Sequence, residues 1–245
     1  MSIQNSKLRT QKSELIFQDL GLMPYREVWD YQEKLYGEMM ARKVSGEKVF
    51  PGHLLFCEHP PVFTLGKSGS KENLLISEQM LAQRGIEFFH TNRGGDITFH
   101  GPGQIVGYPI LDLEQLNLGI KSYIWKLEES VILVLKEFGV TAGRLKGATG
   151  VWIDAEISSK ARKICAIGVK AGRHITMHGF AFNVNTDLSF YHYINPCGLI
   201  DKGVTSLERE LGNVQDMGEV KGLLKKRLED TLSVYEIGHP EGIVR

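Results

Sequence analysis

Arg93–Gln104, RGGDITFHGPGQ, runs directly into Ile105–Leu111, IVGYPIL, and that junction decides how the chain folds. A glycine-rich turn that opens a helix marks a doubly wound dinucleotide-binding sheet, because a helix N-terminus cradles the pyrophosphate. Here Gly101-Pro102-Gly103, with Gly107 behind it, opens a strand, and the GxGxxG spacing is not met. Gly94, Gly95, Gly101 and Gly103 stand within twelve residues beside Arg93 and His100. Glycine gives up the most backbone entropy on folding and permits close backbone approach. Such a density around the β-like run Asp96–His100 points to a ligand cradle. A glycine-rich hairpin with an exposed arginine is the plainer alternative.

Working outward, Tyr25, Val28, Trp29, Leu35, Tyr36 and Met39 recur at helical spacing and predict a helix over 24–42. His53–Glu58 and Val62–Leu65 read as strands around Pro60-Pro61, and Ser77–Arg84 as a short helix capped by Ser77. The clearest element is a helix from Ile120 to Phe138, with Gly139 suited to the position just past its end. Strands follow at Thr149–Ile153, Ile164–Val169 and Ile175–Val184, and a second amphipathic helix at Gly218–Leu232. Strands adjoin one another more often than they alternate with helices, which predicts an α+β fold with a mixed or antiparallel sheet. Residues 1–20 read as a polar tail and 21–245 as one domain, its core over 50–212, closed by the C-terminal helix.

The 245 residues are 42% hydrophobic and 24% charged, an ordinary globular composition. Lys+Arg and Asp+Glu both number 29, so no global field draws in nucleic acid or an anionic membrane. One stretch is locally basic: Arg144 to Arg173 holds seven basic residues against Asp154 and Glu156, a solvated face or a landing place for an acidic partner. Cys57, Cys165 and Cys197 are odd in number and form no CxxC pair, which argues for a reducing compartment. The chain has neither a signal-peptide core nor an apolar run of about 18 residues, so a cytoplasmic location is expected.

Two apparent motifs fail. Gly66-Lys67-Ser68 imitates the end of a Walker A loop, but the position of its first glycine is Pro61. His174 and His178 have the spacing of a metal pair on a helix, yet ITMHGFAF reads as a strand, which separates them by roughly 13 Å. No metal is expected there.

Two residues carry chemistry. Lys163 lies in the strand KICAIGV, where strict alternation puts it on one face with Cys165, Ile167 and Val169. Such a lysine snorkels outward or sits in a cleft with an anionic partner. Cys197 lies in Asn195-Pro196-Cys197-Gly198, a turn that displays its thiol, whereas Cys57 and Cys165 sit in apolar strands. A thiol becomes a nucleophile as the thiolate, and a neighbouring ammonium lowers its pKa; Lys163 is the candidate neighbour.

Together, RGGDITFHGPGQ, GATGVWI, RKICAIGV, HGFAFNVN and INPCG, in that order, resemble the octanoyltransferases of lipoate biosynthesis from about Leu54 to Leu207. The resemblance implies the catalytic-domain fold of biotin and lipoate protein ligases, a mixed sheet flanked by helices. It implies transfer of an octanoyl group from acyl carrier protein to a lysine of lipoyl domains, those of 2-oxoacid dehydrogenase complexes and of the glycine cleavage H protein. By the same resemblance Cys197 is the acyl-thioester nucleophile and Lys163 lowers its pKa. Substrate contacts carry over to Arg93, Gly94, Gly95, Asp96, Ile97, Thr98, Phe99 and His100. They carry over also to Ala166, Ile167 and Gly168, and to Gly179, Phe180 and Ala181. Asp96 departs from the glutamine frequent in that family. No cofactor is implied, because the acyl group arrives on the carrier's phosphopantetheine. Thr98 and His100 share one face of their strand, Ile97 and Phe99 the other. An ATP-dependent lipoate or biotin ligase of the same fold is the rival, opposed by Cys197 and by the missing nucleotide loop. A non-catalytic acyl-binding or lipoyl-domain-binding module is a third reading.

Overall fold

Apolar alternation along the central strands sorts the molecule into layers. In β2 (Gly52–Glu58), Leu54 and Phe56 face one core while Leu55 and Cys57 face another. The same division runs through β6 (Gln104–Ile110), where Ile105 opposes Val106, Tyr108 and Ile110, and all seven residues are buried. A central strand buried on both faces reads as one apolar run. The structure is a computed structural model and describes residues 13–157, 159–195 and 202–236.

Among these residues one mixed sheet has the order β12-β1-β2-β6-β10-β9-β8-β7, with β11 beside β9. Its outer members are β1 (Ser13–Leu22), β12 (Val234–Glu236), β7 (Ala142–Leu145) and β8 (Ala148–Ile153). The long pair β9 (Arg162–Gly172) and β10 (Ile175–Asn183) is antiparallel, and β11 (Gly203–Val204) runs parallel to β9. Helix α1 (Tyr25–Val44) covers one face through Val28, Leu35 and Met39. Helices α3 (Ile120–Glu137) and α5 (Met217–Leu232) cover the other, with the short α4 (Leu207–Leu211) adding Leu207 to the same core. α3 ends at Gly139 with φ of +72°, a left-handed residue that terminates the helix without the strain a side chain would add.

A second sheet, ordered β4-β3-β5, is built from β4 (Glu87–His90), β3 (Val62–Leu65) and β5 (Ile97–His100). It packs with α2 (Glu78–Gln83) around Phe63, Leu65, Leu81, Ile97 and Phe99. The Ser77 hydroxyl accepts the Met80 amide and caps α2, as the sequence predicts. None of the helices among the described residues is long and apolar enough to cross a membrane.

The mixed sheet flanked by helices is the α+β architecture expected. The polar tail over 1–20 is corrected: Ser13–Leu22 is a sheet strand with Leu15 and Ile16 buried, parallel to β2 and to β12. The core is likewise wider than 50–212, because α1, β1, α5 and Val234 all contribute buried residues. Pairing between the two ends of the chain is a long-range contact with no local pattern to announce it.

Candidate active site

A cavity of about 360 Å³ lies between the Arg93–Asp96 turn and the β9–β10 pair, within the usual range for small-molecule sites. Its wall includes Arg93, Gly94, Gly95, Asp96, Ile97, Thr98 and His100 from the first strip. From β9 come Lys163, Ala166, Ile167 and Gly168, and from β10 Gly179, Phe180 and Ala181. Thirteen of the fourteen substrate contacts implied by the resemblance, together with Lys163, therefore meet in one space. Phe99 is the exception. It is 1% exposed, belongs to the core of the second sheet and stacks on Phe190 with ring centres 4.5 Å apart; Ile97, on the same face of β5, reaches the cavity only at the start of the strand. Cys197, with residues 196–201, lies outside the described residues. Tyr191 before that segment and Lys202, Gly203 and Val204 after it line the cavity.

The turn is held by backbone. The Gly94 amide donates to Val169 O at 2.9 Å, Lys67 N to Arg93 O at 2.9 Å and Ser68 N to Gly95 O at 3.1 Å. The false Walker sequence thus has a structural purpose: its amides clasp the carbonyls of the cradle. Arg93 is itself 8% exposed, and its fork donates to Thr64 O at 2.6 Å, Thr64 Oγ1 at 2.9 Å and Gly94 O at 3.0 Å. A Cβ at Gly168 would stand 2.8 Å from Gly94 O, so this close approach demands glycine. Asp96 accepts its own strand's Ile97 amide at 2.7 Å and Asn73 Nδ2 at 2.6 Å, while Asn73 O accepts from Asn195 N. Asp96 therefore ties the cradle to the residue just ahead of the Cys197 segment, in addition to lining the cavity.

Below the cavity runs a buried polar chain whose direction follows from its members. Gln104 Nε2 donates to Phe99 O at 3.1 Å and Asn183 Oδ1 at 2.8 Å, so Gln104 Oε1 is an acceptor and takes His100 Nδ1–H at 2.8 Å. His100 Nε2 is then the acceptor for the Thr64 hydroxyl at 3.2 Å, and Thr64 Oγ1 accepts from Arg93. At the far end Asn183 Nδ2 donates to Thr205 O at 3.0 Å, and Thr205 N to Lys163 O at 2.9 Å. Burial pushes the His100 pKa well down, reinforced by nearby His59 and Arg93, so the ring is neutral and structural. His178 is neutral for the same leading reason, with Arg93 and Lys170 adding to it; its Nε2–H donates to Asn92 Oδ1 at 2.6 Å. Burial raises the thiols of Cys57 and Cys165, both free and buried, which makes them poor nucleophiles.

Lys163 is not on the face that strict alternation assigns. Val151 pairs with Cys165 but Trp152 pairs with Lys163, so β9 carries one extra residue, a β-bulge. Ile164 and Cys165 both enter the main core, and the extra residue puts Lys163 in phase with Ala166 and Gly168, although Ile167 and Val169 border the cavity as well. The local basic field is also smaller than the composition suggests. Arg144 pairs with Glu128 and Glu129, and Arg162 with Asp154 and Glu210. Lys146, Lys160 and Arg173 are the exposed basic residues of that stretch. Sequence reasoning assigned no role to Tyr25, Trp152, His178, Asn183 or Tyr191, which also line the cavity. Trp152, His178 and Asn183 stand inside the quoted segments, but only contacts distinguish wall from core.

The fold and this cavity define a catalytic domain of the lipoyl protein ligase type. The chain belongs to the lipoyl protein ligase A/B catalytic domain family, whose model matches residues 24–229. Within it the similarity is to octanoyltransferases, and the chain is an acyltransferase of that kind. It is 54% identical over 209 residues to the octanoyltransferase of Parabacteroides distasonis, covering 85% of this chain and 94% of that one. Against the octanoyltransferase of Bacteroides fragilis it is 52% identical over 210 residues, with 86% and 94% covered. Among solved structures, the bipartite lipoate protein ligase of Thermoplasma acidophilum superposes with a TM-score of 0.67 at 17% identity, over 94% of this chain and 88% of that one. A lipoate-protein ligase A bound with ATP gives 0.66 at 16% identity, over 93% and 90%. At such identities these two establish the fold.

Proposed function

We propose that the chain moves an octanoyl group from octanoyl-acyl carrier protein, through a thioester on Cys197, to a lysine amine of lipoyl domains. The acceptors are those of 2-oxoacid dehydrogenase complexes and the glycine cleavage H protein, in the cytoplasm. The observation that carries this reading is the meeting of Lys163, the Arg93–Asp96 cradle and residues 202–204 around one cavity. The segment with Cys197 connects Asn195, tied to the cradle through Asn73, to β11, paired alongside Lys163.

Cys197 thiolate attacks the carrier's thioester carbonyl, the phosphopantetheine thiolate leaves, and the acyl group moves from sulfur to sulfur at little free-energy change. The lysine amine of the lipoyl domain then attacks this acyl-enzyme; an amide forms, Cys197 sulfur leaves, and the step is downhill. The donor arrives activated, so the reaction needs no ATP and no cofactor. Lys163 supports the thiolate as an ammonium and in the second step releases a proton and takes one from the incoming amine. Gly94 N–H is already given to Val169 O, so the oxyanion takes its donors from Gly95 of that turn or from the amide of Gly198.

Incubation with octanoyl carrier followed by mass spectrometry tests this. One octanoyl adduct appears on the Cys197 peptide and disappears on adding lipoyl domain. An adduct elsewhere, or vigorous transfer from free octanoate and ATP, refutes it in favour of the ligase.

A further inference from the structure

Lys163 reaches the cavity across the face of a buried indole. Its Nζ stands 4.7 Å from the centre of the Trp152 ring, and the two residues are cross-strand partners at the β9 bulge. Trp152 is 1% exposed, and its Nε1–H donates to Ala148 O at 3.0 Å, which fixes the plane of the ring. Gly150 clears the space beside it. A Cβ there would stand 3.5 Å from Lys163 Cε and 2.5 Å from Cys165 O, and the φ of +122° excludes other residues. Gly150 N in turn donates to Glu128 Oε1 at 2.9 Å, anchoring this part of β8 to α3.

We propose that Trp152 is the positioning residue for Lys163: its indole face holds the side chain toward the cavity and favours the ammonium over the neutral amine. The negative face of an indole attracts a cation and does little for a neutral amine, and the attraction grows where water is excluded. The charged groups around Lys163 include Glu128, which accepts Gly150 N–H and pairs with Arg144, and Lys202 on the same cavity wall; both are unaltered in the Trp152 variants, so a shift in those variants reports the ring. This inference rests on the reading of Lys163 as the partner of Cys197.

The test compares Trp152→Phe, Trp152→Leu and Lys163→Met in the full chain. It reads the pH dependence of octanoyl transfer and of iodoacetamide labelling at the Cys197 peptide. With Leu, the alkaline limb of transfer moves down and the acid limb of labelling moves up, each by about half to one and a half pH units. Phe keeps a weaker face and falls between Leu and wild type. Should Leu not fold, the Phe shift alone decides. Limbs that stay in place while the rate drops reduce Trp152 to a packing residue and overturn the inference. Lys163→Met with unchanged transfer and labelling overturns the underlying reading instead, whatever the tryptophan variants do.

Discussion

His100 Nδ1 donates to Gln104 Oε1 at 2.8 Å, and this bond sets the sense of a buried chain from the Arg93 cradle to the backbone of Lys163. Gln104 Nε2, His100 Nδ1–H, the Thr64 hydroxyl and Asn183 Nδ2 each meet an acceptor, so the two halves of the site are held at fixed separation. Replacing Gln104 with Leu strands His100 Nδ1–H and Phe99 O in a buried space and leaves Asn183 Oδ1 with the Tyr191 hydroxyl at 3.4 Å. Unpaired buried groups cost about 1–3 kcal/mol each, so the variant loses about 3 kcal/mol or more in urea unfolding. Its transfer rate falls even where it remains folded. A variant as stable as the parent shows that the chain is not the brace described.

Acid destabilises the protein through its buried histidines. Burial pushes His59 down to about 4 and His178 to about 3, and moves His100 in the same direction. In the unfolded chain they titrate near ~6.5. Above that value both states are neutral and stability is full. Below it the unfolded chain takes up protons that the folded one refuses, so stability falls by up to about 1.4 kcal/mol per histidine per pH unit, down to the folded pKa. For His59 the window is about pH 6.5 to 4. Urea midpoints measured from pH 7.5 to 5 decline in the wild type. His59→Gln is weaker at pH 7.5, losing the bonds to Met23 O and Tyr108, but shows a shallower slope. A flat wild-type profile refutes the assignment.

Gly168→Ala separates cradle from sheet. Its methyl would stand 2.8 Å from Gly94 O, a backbone atom that cannot turn aside. The Gly94 N to Val169 O bond lengthens, and transfer activity falls about tenfold or more for a loss of stability of about 1–3 kcal/mol. Gly222→Ala, on the α5 surface with open space around its Cβ position, is the control and leaves activity unchanged. Equal effects at both positions contradict the close-approach argument.

Charge reversal separates docking from architecture. Lys146→Glu and Lys160→Glu, both exposed, slow turnover with an acidic carrier at low salt and matter less at high salt, since they act on association. Arg162→Glu breaks the bonds to Glu210 and Asp154 and destabilises the protein at any ionic strength. If the salt dependence of kcat/KM is unchanged in the two lysine variants, the carrier lands elsewhere.

Local chemistry was legible along the chain. Apolar spacing at Tyr123, Leu127, Val131 and Val134 marks a helix whatever surrounds it. The glycine turn before Ile105 leads into a strand because no N-terminal helix pattern follows it. Alternation in β5 separates Thr98 and His100 from Ile97 and Phe99, so the sequence carries both faces, although only the packing shows Phe99 buried in the core of the second sheet while Ile97 also borders the cavity.

Other features depended on partners far off in the chain. Ser13–Leu22 has no pattern of its own that requires a strand; pairing with β2 and β12 makes it one. Lys163 changes face at a single extra residue opposite β8, which no period of two can register. Arg144 and Arg162 look like free basic charge until folding brings Glu128 and Glu210 to them. Periodicity and turn chemistry act between neighbours and are written into the order of residues. Register, bulges and ion pairs arise when distant segments meet, and the tertiary structure alone decides them.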